Sequence, residues 1–371
     1  MVPVLDSRAL NRALLARQWL LDGPPPGATA RDAIEHLAGL QAQDVKAPYF
    51  QLWARLPDFD AHALSELLER RDAVRIVLMR GTIHLVTARD AAPLRALAQT
   101  TIARATDGNW AVPDSVDRDA LAAAGRALVE ARPRTFAQLA ALLGERWPDA
   151  DPKALAQQIR ARVPLVQVPP RGLWGRSGAP AHTSLEAWLG DDGAAAEHDL
   201  DEAVRRYLAA FGPAAPRDFQ KWSGTTGAAA AFARLRDALV VFTGPDGREL
   251  FDLPDAPRPP GATPVRPRLT GPFDNLILSH ADTSRILPPE HKPRVMTQNG
   301  LIAGLVLVDG FVAGNWRIEA TKKLATLTLA SFSGKAYKKA DATALRREGE
   351  RLLAFAAPDA ASHAIAFTTS G

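Results

Sequence analysis

Two glutamines separated by one alanine, Gln41-Ala42-Gln43, follow an apolar helical face made by Ile34, Leu37 and Leu40. In extended backbone the two carboxamides project to one side with Ala42 turned inward. In continued helix they diverge by about 200° and no longer act together. A carboxamide both donates and accepts, so a pair could orient one water or a polar ligand, although a solvated helix end has the same composition. Asp44, Lys46 and Tyr49 add polar reach close by. A second dense stretch, LTGPFDNLILSHADTSRILP, gathers Asp274, Asn275, Ser279, His280, Asp282 and Arg285 among apolar residues. These groups suit bonds that hold neighbouring loops, or, for Arg285, contact with a phosphate or groove edge. His84, inside GTIHLV, reads as a strand-packing residue or a local hydrogen-bond partner.

Familiar catalytic patterns are missing. The 371 residues include no cysteine, which removes thiolate catalysis, disulfides and cysteine-ligated metal centres. No Gly-rich nucleotide loop, HExxH or GxSxG occurs, and none of the eight histidines stands at tight ligand spacing. No apolar run approaches the ~20 residues of a membrane span. Asp6 and Arg8 interrupt the place where a signal peptide keeps its apolar core, so a cytoplasmic location is expected. Net charge is only +4, too small to identify a nucleic-acid protein by itself. Its distribution says more: from Gly261 to Gly371 there are 14 Lys and Arg against 9 Asp and Glu. Arg317, Lys322, Lys323, Lys335, Lys338 and Lys339 crowd one stretch that holds a single acid, Glu319. Such a cluster suits phosphate contacts, and a solvated basic face has the same composition.

The elements that must position these groups repeat a small pattern. Arg8–Leu21, ARDAIEHLAGL behind Thr29, and Ala61–Arg70 have helical spacing, and Arg75–Met79 with Ile83–Thr87 reads as a hairpin around Arg80-Gly81. Thr87 can cap the next helix. The second unit repeats the order, with Asp119–Glu130, FAQLAALLGER behind Thr135, Pro152–Arg160, and a hairpin of Leu165–Val168 and Leu173–Gly175 around PPRG. The third runs through Asp199–Ala210, DFQKWSG and Thr226–Arg236 to Ala238–Thr243 and Glu249–Leu253, joined by GPDG. Helices closed by a hairpin describe a winged helix, and three copies occur in register. The remainder changes character: LIAGLVLVDGFVAGNWRIE is strand, Asp-Gly turn and strand, LATLTLASF alternates, and Ala340–Phe355 is helical. The expected class is α+β. Its units are a winged helix over 1–115 carrying the glutamine pair, two more over 116–190 and 191–260, and a basic barrel-like β domain over 261–371.

LQAQD, LMRGTIHLVTARD, YLAAFGPAAPRDFQKWSG, FDNLILSHADTSRI and VDGFVAGNWRIE occur in an order that resembles the bacterial winged-helix DNA glycosylases typified by AlkZ and YcaQ, over essentially the whole chain. The resemblance implies three tandem winged helices in a C-shaped body plus a C-terminal β-barrel. It also implies excision of N-alkylated purines, chiefly N7-alkylguanine, from double-stranded DNA without metal or organic cofactor. The family's Gln–x–Gln or Gln–x–Asp motif falls on Gln41 and Gln43, and the second glutamine is similar to the AlkZ branch, whose members can protect producers of DNA-alkylating natural products. Lys46, Arg285, Arg317, Lys322, Lys323, Lys335, Lys338 and Lys339 are candidate DNA contacts. Asp44, Tyr49, His84, Asp274, Asn275, His280 and Asp282 are secondary candidates. A monomer is expected. The competing readings are a winged-helix transcription regulator, a noncatalytic lesion-binding protein, and an adaptor whose basic segment meets another protein.

Overall fold

Side-chain caps set where the helices begin in the computed structural model, which describes residues 2–193, 199–296 and 300–369. Thr29 accepts from the Asp32 backbone while the Asp32 carboxylate accepts from Thr29, a reciprocal box that opens helix Ala30–His36. Thr135 and Gln138 repeat the device for helix Phe136–Arg146, and Thr87 caps the long helix Ala88–Asn109. Asp117, Asp151 and Asp199 do the same for Arg118–Ala131, Pro152–Arg162 and Leu200–Phe211. Among the described residues no helix is long and apolar enough to cross a membrane.

The strands are β1 (Leu40–Gln41), β2 (Ala73–Val77), β3 (Ile83–Thr87), β4 (Arg134–Thr135), β5 (Leu165–Gln167), β6 (Ala181–Ser184), β7 (Val240–Thr243), β8 (Glu249–Asp252), β9 (Arg268–Thr270), β10 (Gly304–Val308), β11 (Phe311–Ala320), β12 (Ala325–Ser331) and β13 (His363–Thr369). The first six form one sheet in the order β1-β3-β2-β5-β6-β4, so the first two sequence units share a continuous ladder. The hairpins β2–β3 and β7–β8 form as their sequences indicate. The second hairpin is a correction: β5 pairs with β6, not with Leu173–Gly175. Gly172 and Gly175 both take left-handed backbone there, with φ of 96° and 67°, and bend that stretch out of any ladder.

The C-terminal region corrects a second expectation. It is an open five-stranded sheet, β13-β12-β11-β10-β9, and not a closed barrel. Three of its ladders are antiparallel, but β13 runs parallel to β12. Parallel neighbours need a crossover, and helix Lys339–Ala356 supplies it, burying Leu345, Leu352 and Leu353 as it passes. The helix packs against β9, β12 and β13, and the edge strands β9 and β13 do not pair with each other.

A large apolar core runs from Leu14 through Phe219 and Trp222 to Leu353, joining the first unit, the third unit and the C-terminal sheet. The second unit keeps a core of its own around Leu121, Leu139, Leu155 and Ile159.

Candidate functional site

Ala38 and Gly39 both take left-handed backbone, with φ of 51° and 94°. A β-carbon on Gly39 would sit 2.6 Å from Val86 Cγ1, so glycine is the residue that fits this turn. The chain therefore leaves helix Ala30–His36 sharply and enters β1, where Gln41 faces His84 across the ladder. The chain does not continue as helix at Gln41-Ala42-Gln43: the strand ends at Gln41 and Gln43 lies in a bend. Ala42 is fully buried, its N–H donating to the Ile83 carbonyl at 2.7 Å and its carbonyl accepting from Arg75 at 2.9 Å. Gln41 is 6% exposed, whereas Gln43 is open to solvent.

Both carboxamides are held by the connection between β2 and β3. Arg80 Nη2 donates to Gln41 Oε1 at 2.7 Å, and the Ile83 backbone N–H donates to Gln43 Oε1 at 3.2 Å. Neither donor can accept a hydrogen bond, so each fixes which end of its amide faces it. The oxygens are turned toward the hairpin, and each keeps a second acceptor direction. Gln51 Nε2 ties the Gln41 carbonyl, at 3.0 Å, to the Pro272 carbonyl, at 2.9 Å. Beside the loop a groove of about 330 Å³ opens, lined in part by Asp44, Phe273, Leu305 and Asn315.

Arg80 is a site residue that sequence reasoning missed. It sits at φ 58° in the turn of the first hairpin. From there it donates to the Trp222 carbonyl at 2.7 Å and to Asn275 Oδ1 at 3.2 Å as well as to Gln41. Burial pushes this guanidinium down to about 10, and no carboxylate pairs with it among the described residues. Its one visible signal is an Arg-Gly dipeptide at the tip of a hairpin. Its partners lie 39, 142 and 195 residues away.

Other candidates divide clearly. Asn275 joins the site, bridging Arg80 and the Gly39 carbonyl. His84 lies behind it, fully buried, with Nδ1 against the Thr82 carbonyl at 3.0 Å; burial, with Arg80 adding to it, pushes the ring down to about 3 and keeps it neutral. Asp44 is exposed and accepts from the Lys46 backbone at 2.7 Å, which shapes the loop, and Lys46 lies exposed at its end. Tyr49 is core: its hydroxyl donates to the Gly172 carbonyl at 2.7 Å and meets Ser65, and burial raises its pKa. Asp274 is a structural ion pair, held by Arg55 at 2.8 and 2.9 Å.

His280 bridges Ser279 and the Phe211 carbonyl in the interior, where burial holds it well below its ordinary value. Asp282 is exposed and accepts from Ser284 N–H. Arg285, expected to face DNA, is only 7% exposed and donates to the Pro213 carbonyl at 2.8 Å, so it braces the interior. His198 lies outside the described residues.

The basic stretch is not one stripe. Lys322 and Lys323 occupy the turn from β11 to β12, while Lys335, Lys338 and Lys339 follow the far end of β12. Seven residue pairs separate the two ends, roughly 20 Å at the usual strand rise. Arg317 lies between them on β11, paired with Glu319 at 3.5 Å.

Gln41, Gln43, Arg80 and Asn275 form one polar cluster at the loop; among the described residues no acidic or histidine cluster could hold a metal ion. The family model for DNA glycosylases of the AlkZ-like type matches residues 34–355, and the chain belongs to that family. It is similar to the interstrand DNA cross-link repair glycosylase of Streptomyces sahachiroi, at 25% identity over 332 residues, 82% of this chain and 85% of that protein. It also superposes on the solved Streptomyces sahachiroi DNA glycosylase AlkZ with a TM-score of 0.78 at 22% identity, over 98% of this chain and 100% of the other.

Proposed function

We propose that this chain is a monofunctional glycosylase that hydrolyses the N-glycosidic bond of N7-alkylguanine in double-stranded DNA. Bulky adducts are included, for repair or for resistance to an alkylating toxin. The observation that carries the proposal is the non-helical Gln41-Ala42-Gln43 loop with both carboxamide oxygens held by the β2–β3 hairpin. The cross-link activity named for the Streptomyces sahachiroi relative supports bulky substrates for this chain too. Hairpins β2–β3, β5–β6 and β7–β8, each following helices, support reading units 1–115, 116–190 and 191–260 as three winged helices.

Alkylation at N7 makes the base cationic, so it departs as a neutral molecule and needs little acid catalysis. Water oxygen bonds to C1′ while the C1′–N9 bond breaks; its electron pair neutralises the base, and the water proton leaves to solvent. Gln43, exposed and oriented by Ile83, accepts from that water through its remaining acceptor direction. Gln41, fixed by Arg80, holds the sugar side of the site in register. Positioning and electrostatics are the contributions available to amides, which are no general bases near neutral pH. Lys46 stands at the end of the same loop, on its exposed side, and hydrolysis without strand cleavage is expected.

A defined N7-alkylguanine duplex, incubated with protein and then heated or treated with alkali, should be cut at the lesion above spontaneous depurination. Binding without base release would leave a lesion-binding or regulatory protein instead. Cutting without the alkaline step would contradict the monofunctional assignment.

A further inference from the structure

A second cavity lies on the sheet face beside the glutamine loop, with Ile76, Val77 and Leu165 in its lining as well as polar groups. In the ladders Arg75 pairs with Gln167 and Gln167 with His182, which lines up three polar side chains on one face of β2, β5 and β6. Together with Arg160, and with partly exposed Ile83 and Phe136, they enclose a cavity of about 50 Å³. That space admits a few waters or the oxygens of one tetrahedral anion.

Its charges are unbalanced within the chain. Arg75, 2% exposed, donates to Gln167 Oε1 at 3.2 Å and to the Ala42 carbonyl. Arg160 donates to the Gly81 carbonyl at 3.1 Å. All of these acceptors are neutral, and no carboxylate pairs with either arginine among the described residues. His182, 5% exposed, has no partner at hydrogen-bond distance from Nδ1, and the Arg134 backbone beside the ring favours its protonated form. Holding guanidiniums in a partly closed cavity without a carboxylate costs desolvation that a bound anion offsets. Burial correspondingly depresses Arg75 to about 10 and His182 to about 4. A neutral imidazole can still donate from Nδ1.

We propose that this cavity is a phosphate subsite, which rests on the DNA-glycosylase reading for its natural ligand, the backbone phosphate beside the nucleotide held at Gln41 and Gln43. The link to the site is direct. Arg75 holds the carbonyl between the two glutamines, and Arg160 holds the carbonyl that follows Arg80. A phosphate seated on both guanidiniums presses on the loop and on the hairpin that orients its amides. The shared chemistry, a phosphate oxyanion, can also come from free inorganic phosphate.

The test uses the full chain, with Arg160→Gln, His182→Gln and the conservative Arg160→Lys. Melting is compared in sodium phosphate and in sodium chloride at matched ionic strength, and binding to an undamaged duplex is measured against salt. The subsite predicts a phosphate-specific rise in Tm for the wild type that both glutamine variants lose and Arg160→Lys keeps in part. It also predicts a slope of log affinity against log salt that is lower by about one for Arg160→Gln. A slope change without the Tm effect assigns the site to DNA alone, and a Tm effect without a slope change assigns it to free phosphate. Neither effect, in variants with wild-type circular dichroism, overturns the proposal. Base release is scored separately. If it fails while the slope effect holds, the catalytic reading falls and the phosphate site stands.

Discussion

Arginines in two regions of this molecule are treated differently. Along the seam between the N-terminal helices and the rest of the chain, Arg12, Arg17 and Arg55 each meet a carboxylate. Arg17 makes two bonds of 2.7 Å to Asp252, and Arg55 grips Asp274 through two more. Around the glutamine loop, Arg75, Arg80 and Arg160 meet only amide and carbonyl oxygens. Bidentate pairs neutralise the guanidinium charge with a carboxylate inside the chain and leave little net charge for an anion. Guanidiniums with neutral partners keep their full charge, which suits a site that must receive a polyanion. The seam holds the protein together, and the loop region is the site proposed to bind.

Breaking a seam pair should have the largest effect. Asp274→Ala leaves Arg55 buried without a carboxylate, with only the Gln51 carbonyl and Gln18 Oε1 as acceptors, and a loss of about 3–5 kcal/mol in urea unfolding is expected. The loop region should respond in activity first. Arg80→Met frees the Gln41 carboxamide, and base release should slow by ~10–100-fold, with Arg80→Lys recovering part of it; an unchanged rate would remove Arg80 from the site.

Acid sharpens the contrast next. His84 and His182 are held at about 3 and 4 in the fold, below the unfolded value near 6.5. Between those limits the unfolded chain binds more protons, so stability is full above about pH 6.5 and falls as the pH drops toward 4. Melting temperature across that window checks this, and His84→Asn should flatten the decline. The smallest effect is at the surface: neutralising Lys322 with Lys323, or Lys335 with Lys338 and Lys339, should weaken damaged and intact duplexes alike. For every phosphate no longer neutralised, the salt slope should drop by somewhat less than one.

Local chemistry made much of this fold legible. Thr29, Thr87 and Thr135 announce helix starts through bonds within three residues, and Asp309-Gly310, at φ 49° and 82°, forms the expected hairpin turn. What failed depends on distant partners. β6 is four residues, AHTS, with no apolar alternation to mark it, while Leu173 imitates a strand and is buried in a turn. The parallel β13 is recruited by the helix before it, so no turn signal pairs it with β12. At the site, Gln41 and Gln43 stand out by type and spacing. Arg285 looks exposed in sequence because its partner, the Pro213 carbonyl, is 72 residues away, and Arg80 is hidden for the same reason.

The central claim is that the two carboxamides carry the chemistry, and single-turnover base release from one duplex bearing one N7-alkylguanine tests it most directly. Gln41→Ala and Gln43→Ala, each with wild-type circular dichroism, should release base ~10–1000-fold more slowly than the wild type. Normal release by both folded variants would contradict the claim and move the chemistry elsewhere in the groove.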